Sequence, residues 1–158
     1  MPNITPMLWY DTQALEAAEL YTSLFPNSQI TEVTRYGEAG PGPAGSVMLV
    51  AFELDGQAMT ALNGGPLFPF TEAISLVIDC TDVAEADRYW EALTADGGEE
   101  SQCGWLKDRF GVSWQVIPPG FQEVMGDPDP ARAQRAVEAM MTMRKLDVDA
   151  LRAAADGA

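Results

Sequence analysis

The feature that most limits what this chain can fold into is an order of elements that occurs twice. Ile4 to Tyr10 is an apolar, strand-forming run. Asp11-Thr12 then opens a helical stretch whose apolar residues Ala14, Leu15, Ala18, Tyr21 and Leu24 fall three and four apart. Pro26-Asn27-Ser28 stops that helix, and Ile30 to Tyr36 alternates as a strand. Gly37 to Gly45 holds four glycines and two prolines, a loop composition. Ser46 to Leu54 and Gln57 to Asn63 form a hairpin turning at Asp55-Gly56. After Asn63-Gly64-Gly65-Pro66 the order restarts. Ala73 to Asp79 is a strand, and Asp82 caps a helix carrying Val83, Ala86, Trp90 and Leu93 up to Asp96-Gly97-Gly98. Glu99 to Gln102, Gly104 to Lys107 and Val112 to Ile117 are short strands, the last two joined by a turn over Asp108 to Gly111. Pro118-Pro119-Gly120 ends the sheet.

A shift of 68 residues lays Asp11 on Asp79, Ala18 on Ala86, Glu19 on Asp87 and Tyr21 on Tyr89. The shared order is better evidence of repetition than these few matches. The expected architecture is α+β: one domain over residues 1–158, with a βαβββ module at 3–65, a second at 70–120 and a helical tail at 128–156. In the tail, Asp129-Pro130 opens a helix to about Lys145, with Val137, Met140, Met141 and Met143 as an apolar stripe. Asp147 caps a shorter helix through Ala155.

Charge and composition narrow the function. The chain has nine Lys+Arg against 24 Asp+Glu, a formal charge of −15, and no histidine. Such a surface repels nucleic-acid phosphates and anionic lipid, so neither is an expected partner. Without histidine there is no Ser-His-Asp or Cys-His machinery and no imidazole for a metal. Cys80 and Cys103 are too few and too far apart for a disulfide scaffold or a CxxC site. No apolar run approaches the roughly 18 residues of a membrane span, and the N-terminus lacks the pattern of an export signal. The expectation is a cytoplasmic protein with reduced thiols.

The motifs LWYD, ELYTSLFPNS, FELDGQ, ALNGGP, FTEAISLVIDC, RYWEAL, CGWLKDRFGVSWQV and AMMTMRKLD follow one another from about Ile4 to Leu151. Together they resemble the PhnB-like family often labelled 3-demethylubiquinone-9 3-methyltransferase. That family lies in the vicinal oxygen chelate superfamily with glyoxalase I, extradiol dioxygenases and bleomycin-resistance proteins. The resemblance implies a glyoxalase/bleomycin-resistance-like cup-shaped sheet of paired βαβββ modules, in a homodimer. In the superfamily's metal enzymes, ligands come from the first and last strands of each module. Those places here are Thr5 or Pro6, Met59 or Thr60, Ala73 or Ile74, and Gln115 or its neighbours, none of them His, Asp or Glu. No metal is expected on this pattern. The label implies methyl transfer from S-adenosylmethionine. The common α/β mode of binding that cofactor needs a glycine-rich strand-to-helix turn. The glycine clusters here precede a strand and a Pro-Phe loop instead, so no cofactor is expected.

The leading reading is therefore a metal-independent homodimer that binds a small apolar or aromatic molecule. Methyl transfer is the alternative, and a glyoxalase-like lyase stands behind it. Inward-facing polar and aromatic residues on apolar strands mark the expected ligand site: Trp9, Asn63, Phe68, Cys103, Trp105, Trp114 and Gln115. Plain alternatives stand beside them. The tryptophans also fit an ordinary core, and Asn63 fits the Gly64-Gly65 turn. Cys103 is a nucleophile only where a neighbour lowers its pKa. Gln115, between Trp114 and Val116, needs a hydrogen-bond partner if buried.

Overall fold

The computed structural model describes residues 1–158, which divide into two compact units, Met1–Phe70 and Thr71–Ala158. In the first, β1 (Met7–Tyr10), α1 (Ala14–Leu24), β2 (Gln29–Arg35), β3 (Val47–Leu54) and β4 (Gln57–Asn63) build a four-stranded sheet in the order β1-β4-β3-β2. β1 runs parallel to β4, with Met7 opposite Thr60 and Tyr10 opposite Asn63. The hairpin β3-β4 turns at Asp55-Gly56, both at positive φ, the geometry that favours an Asp-Gly pair.

Strand alternation sorts the side chains. Leu8, Tyr10, Val50, Phe52, Met59 and Ala61 are buried. Ala14, Ala17, Ala18 and Tyr21 of α1 are buried too, and α1 packs on β1 to β4. Tyr10 and Tyr21 join their hydroxyls at 3.0 Å inside this core. Met7, Trp9, Thr60, Leu62, Leu49 and Ala51 alternate to the other face and stay half-buried or exposed.

The second unit repeats the plan. β5 (Leu76–Asp79), α2 (Val83–Thr94), β6 (Glu99–Glu100), β7 (Trp105–Lys107) and β8 (Ser113–Ile117) give the sheet order β5-β8-β7-β6, again with its first strand parallel to its last. Ala18 and Ala86 are both buried, as are Tyr21 and Tyr89, while Glu19 and Asp87 are both exposed. The matched pairs thus occupy matched environments. Asp82 accepts from the Glu85 amide at 2.7 Å, and the Glu85 carboxylate accepts from the Thr81 amide and hydroxyl, a reciprocal cap on α2.

The boundaries shift where backbone groups are engaged elsewhere. β1 begins at Met7, not Ile4, because Pro6 has no N–H for the ladder and offers only its carbonyl to the Thr60 amide. β5 begins at Leu76, since the Ala73 amide is taken by Thr71 Oγ1. β6 keeps only two of its four expected residues. The tail holds three helices, α3 (Phe121–Met125), α4 (Pro130–Met140) and α5 (Val148–Ala155), of which α3 was not expected. α4 stops at Met140 rather than near Lys145, because the Met143 and Arg144 carbonyls accept from the Cys103 and Gly104 amides. Val124, Ala136, Val148, Leu151 and Ala155 form the tail's own core, with Met140 and Met143 against it. No helix is long and apolar enough to cross a membrane.

Candidate functional site

On the first sheet, Trp9 lies at the end of β1 on the face away from α1. Its Nε1 donates to the Gly65 carbonyl at 2.9 Å, and its indole meets Phe68 edge-on at 5.0 Å. Gly64 packs directly on the indole, where any Cβ would overlap the ring. Trp9 and Phe68 are therefore brought together, in a small aromatic cluster closed by the Gly64-Gly65 turn. Asn63 does something other than brace that turn. Its Oδ1 accepts from the Ala14 amide at 2.8 Å and its Nδ2 donates to the Val47 carbonyl at 3.1 Å. It supplies the helix cap that Gln13, with no side-chain bond of its own, does not.

On the second sheet, Gln115 pairs across the ladder with Val77 on one side and Trp105 on the other, so all three share the face away from α2. Gln115 Nε2 donates to Ser75 Oγ at 3.0 Å. This amide–hydroxyl pair sits between an exposed valine and a half-buried tryptophan. Near the far end of the same sheet, Lys107 pairs with Glu72. That pairing holds the Glu72 carboxyl below its ordinary range, first through the hydrogen bond from Lys107.

Trp114 alternates to the opposite side. It is 2% exposed, and its Nε1 donates to the buried carboxylate of Asp108. Cys103 lies at φ +57°, with its Sγ 3.5 Å from the Met140 carbonyl and its amide bonded to Met143. It anchors the tail to the β6-β7 connection. Trp105 and Gln115 were each expected at the ligand site, and the β7-β8 register sets them directly opposite one another. Ser75 was missed, because its partner lies 40 residues away and no local pattern announces it.

Two groups that the fold brings to mind can be tested against these residues. No three His, Cys, Asp or Glu side chains converge anywhere. The places expected to ligate a metal carry Thr5 or Pro6, Met59 or Thr60, Ala73 or Ile74, and Gln115, a set without imidazole or carboxylate that does not fit a divalent cation. The strand-to-helix turns are Asp11-Thr12-Gln13 and Cys80-Thr81-Asp82, without a glycine. They do not fit a cofactor that needs a glycine-rich turn at a helix N-terminus.

Two βαβββ units of identical strand order, each with a helix-free face, are the mark of the vicinal oxygen chelate superfamily. Residues 2–117 match the sequence pattern of the 3-demethylubiquinone-9 3-methyltransferase family, and the chain belongs to that PhnB-like family. A Bacillus cereus structure described as a 3-demethylubiquinone-9 3-methyltransferase, PhnB protein, is 35% identical, with a TM-score of 0.68 over 74% of this chain and 99% of that one. A Pseudomonas aeruginosa protein is 24% identical, with a TM-score of 0.61 over 75% and 98%. The fosfomycin resistance protein FosX from Listeria monocytogenes, complexed with Mn(II) and sulfate, shares the fold at 13% identity, with a TM-score of 0.52 over 79% and 95%. No curated protein matches.

Proposed function

We propose that this chain is a metal-independent homodimer that binds a small apolar or aromatic molecule on the helix-free faces of its sheets. The observation that carries the reading is the Gln115–Ser75 hydrogen bond on the helix-free face, with Val77 and Trp105 flanking Gln115. Small-molecule sites combine apolar walls with a few placed polar groups. Here Nε2 is fixed by the Ser75 hydroxyl, which turns Oε1 into an oriented acceptor for a ligand N–H or O–H. Trp105 supplies a flat wall on one side of it, and the Trp9–Phe68 cluster offers a similar surface on the first unit's sheet.

Thermal stabilisation by a panel of aromatic and apolar compounds, with S-adenosylmethionine included and with EDTA present throughout, tests the proposal. A hit is expected to stabilise the wild type and to lose its effect in Gln115→Ala and Trp105→Ala. Stabilisation by S-adenosylmethionine alone would replace binding with methyl transfer. A stoichiometric divalent metal in native mass spectrometry would overturn metal independence, and a monomeric mass would overturn the homodimer.

A further inference from the structure

The first unit contains a cleft that the reading above does not use. It has a volume of about 560 Å³ and opens between the N-terminal half of α1, the Gly/Pro-rich loop from 37 to 45 and the end of β4. Its apolar surface comes from Leu15, Tyr36, Pro41, Pro43 and Val47. Tyr36 is fixed there by donating to the Asn63 carbonyl at 2.5 Å, while Gly40 and Gly42 lie against its ring where a side chain would collide. The loop is thereby moulded onto the tyrosine.

The charged groups lining this cleft are three carboxylates. Asp11 precedes α1, and Glu16 and Glu19 stand on the helix face that also presents Leu15. No lysine or arginine lines it, and none of the three carboxylates takes part in an ion pair. The deficit extends across the unit: residues 1–70 hold seven carboxylates and a single cation, Arg35. Arg35 donates to the Gly45 carbonyl and does not line the cleft. The second unit differs in holding eight cations, which pair with carboxylates such as Glu72, Asp87, Asp96 and Asp127.

We infer that this cleft is a second binding site, specific for an organic cation with an apolar body. The apolar floor provides contact area, and the unpaired carboxylates at its edge are complementary to a single positive charge. An anion of the same shape meets three negative groups and no counter-charge. The negative field of the whole chain adds long-range attraction, which salt screens.

Tetraphenylphosphonium and tetraphenylborate have nearly the same shape and opposite charge, so they isolate the electrostatic part. Titration of each into 15N-labelled protein is expected to give binding of the cation, with shifts confined to residues such as Leu15, Ser46, Val47 and Gly64. The borate is expected not to perturb these residues. Glu16→Gln and Glu19→Gln should each weaken the cation about two- to fivefold, and the pair about tenfold or more, with the effect shrinking at 0.5 M salt. Glu91→Gln, an equal charge change on α2, should leave affinity unaltered. Equal binding of the two ions, shifts outside the cleft, or a Glu91→Gln effect matching that of Glu16→Gln would each overturn the inference. None of these outcomes bears on Gln115 and Trp105.

Discussion

Trp114 Nε1 donates to Asp108 Oδ2 at 2.9 Å, and both residues are 2% exposed. Asp108 Oδ1 also accepts from the Phe110 and Val112 amides, at 2.9 and 3.0 Å. One carboxylate thus satisfies two amide donors in the β7-β8 turn and the indole of the tryptophan that fills the core beneath it. Asp108→Ala leaves these donors buried without a partner and should cost about 3 kcal/mol. Asp108→Asn keeps one acceptor oxygen and should cost less. Urea denaturation followed by far-UV circular dichroism measures both, and equal midpoints for wild type and Asp108→Ala would refute this role.

Asn63 presents the same logic between elements. Its amide caps α1 at Ala14 and reaches β3 at Val47, so Asn63→Ala should cost about 2 kcal/mol. Asn63→Asp keeps the acceptor for Ala14 and loses the donor to Val47. It should therefore preserve slow exchange of the Ala14 amide better than alanine does, which hydrogen-exchange NMR reads directly.

Gly64 is required by close approach to Trp9. A methyl group at Gly64 overlaps the indole, so Gly64→Ala must displace it from Phe68 and from the Gly65 carbonyl. The expected cost is about 1–3 kcal/mol, with a red shift of tryptophan emission as Trp9 becomes more solvated. The same substitution in a Trp9→Phe background should show no such emission change.

Most of the fold was legible because apolar periodicity and turn chemistry agree. The three-and-four spacing from Ala14 to Leu24, the Asp55-Gly56 turn and the Asp82 cap each specify the element that forms. What was not legible depends on distant backbone groups. Nothing local in the run from Met140 to Lys145 reveals that Met143 and Arg144 give their carbonyls to Cys103 and Gly104. α3 was hidden because Pro118-Pro119-Gly120 reads as a terminator, whereas Gly120 at φ +84° starts a new turn. At the site, the need of Gln115 for a partner could be read, but not that Ser75 meets it. Trp114 was expected at the ligand site beside Gln115, with a core place as the alternative; as neighbours on β8 the two face opposite sides, and the bond of Trp114 to Asp108 was not legible.

The two cysteines should separate in reactivity. Burial, followed by the nearby Glu85 carboxylate, pushes the Cys80 thiol up to about 11, so almost none of it is thiolate at pH 8. Cys103 is only partly buried. Titration of the folded protein with Ellman's reagent at pH 8 should give one fast thiol, absent in Cys103→Ser. The second should appear only on denaturation. Two fast thiols in the native protein would contradict the burial of Cys80.

Acid sensitivity should trace in part to the cap of α2. The Thr81 amide, then its hydroxyl, holds the Glu85 carboxyl below its ordinary range, with a smaller contribution from Tyr89. A carboxylate with a folded pKa below its unfolded one binds protons more readily in the unfolded state. Its contribution is therefore fully present above the unfolded value of about 4.3 and is lost as pH falls through the folded value. Glu85→Gln removes this linkage and retains a carbonyl acceptor for Thr81. The variant should be less stable than wild type at pH 7, and the difference should narrow as pH falls below about 4. Denaturant midpoints at pH 7, 5, 4 and 3 measure it, and a gap that stays constant across that range would exclude Glu85 as a source of the acid response.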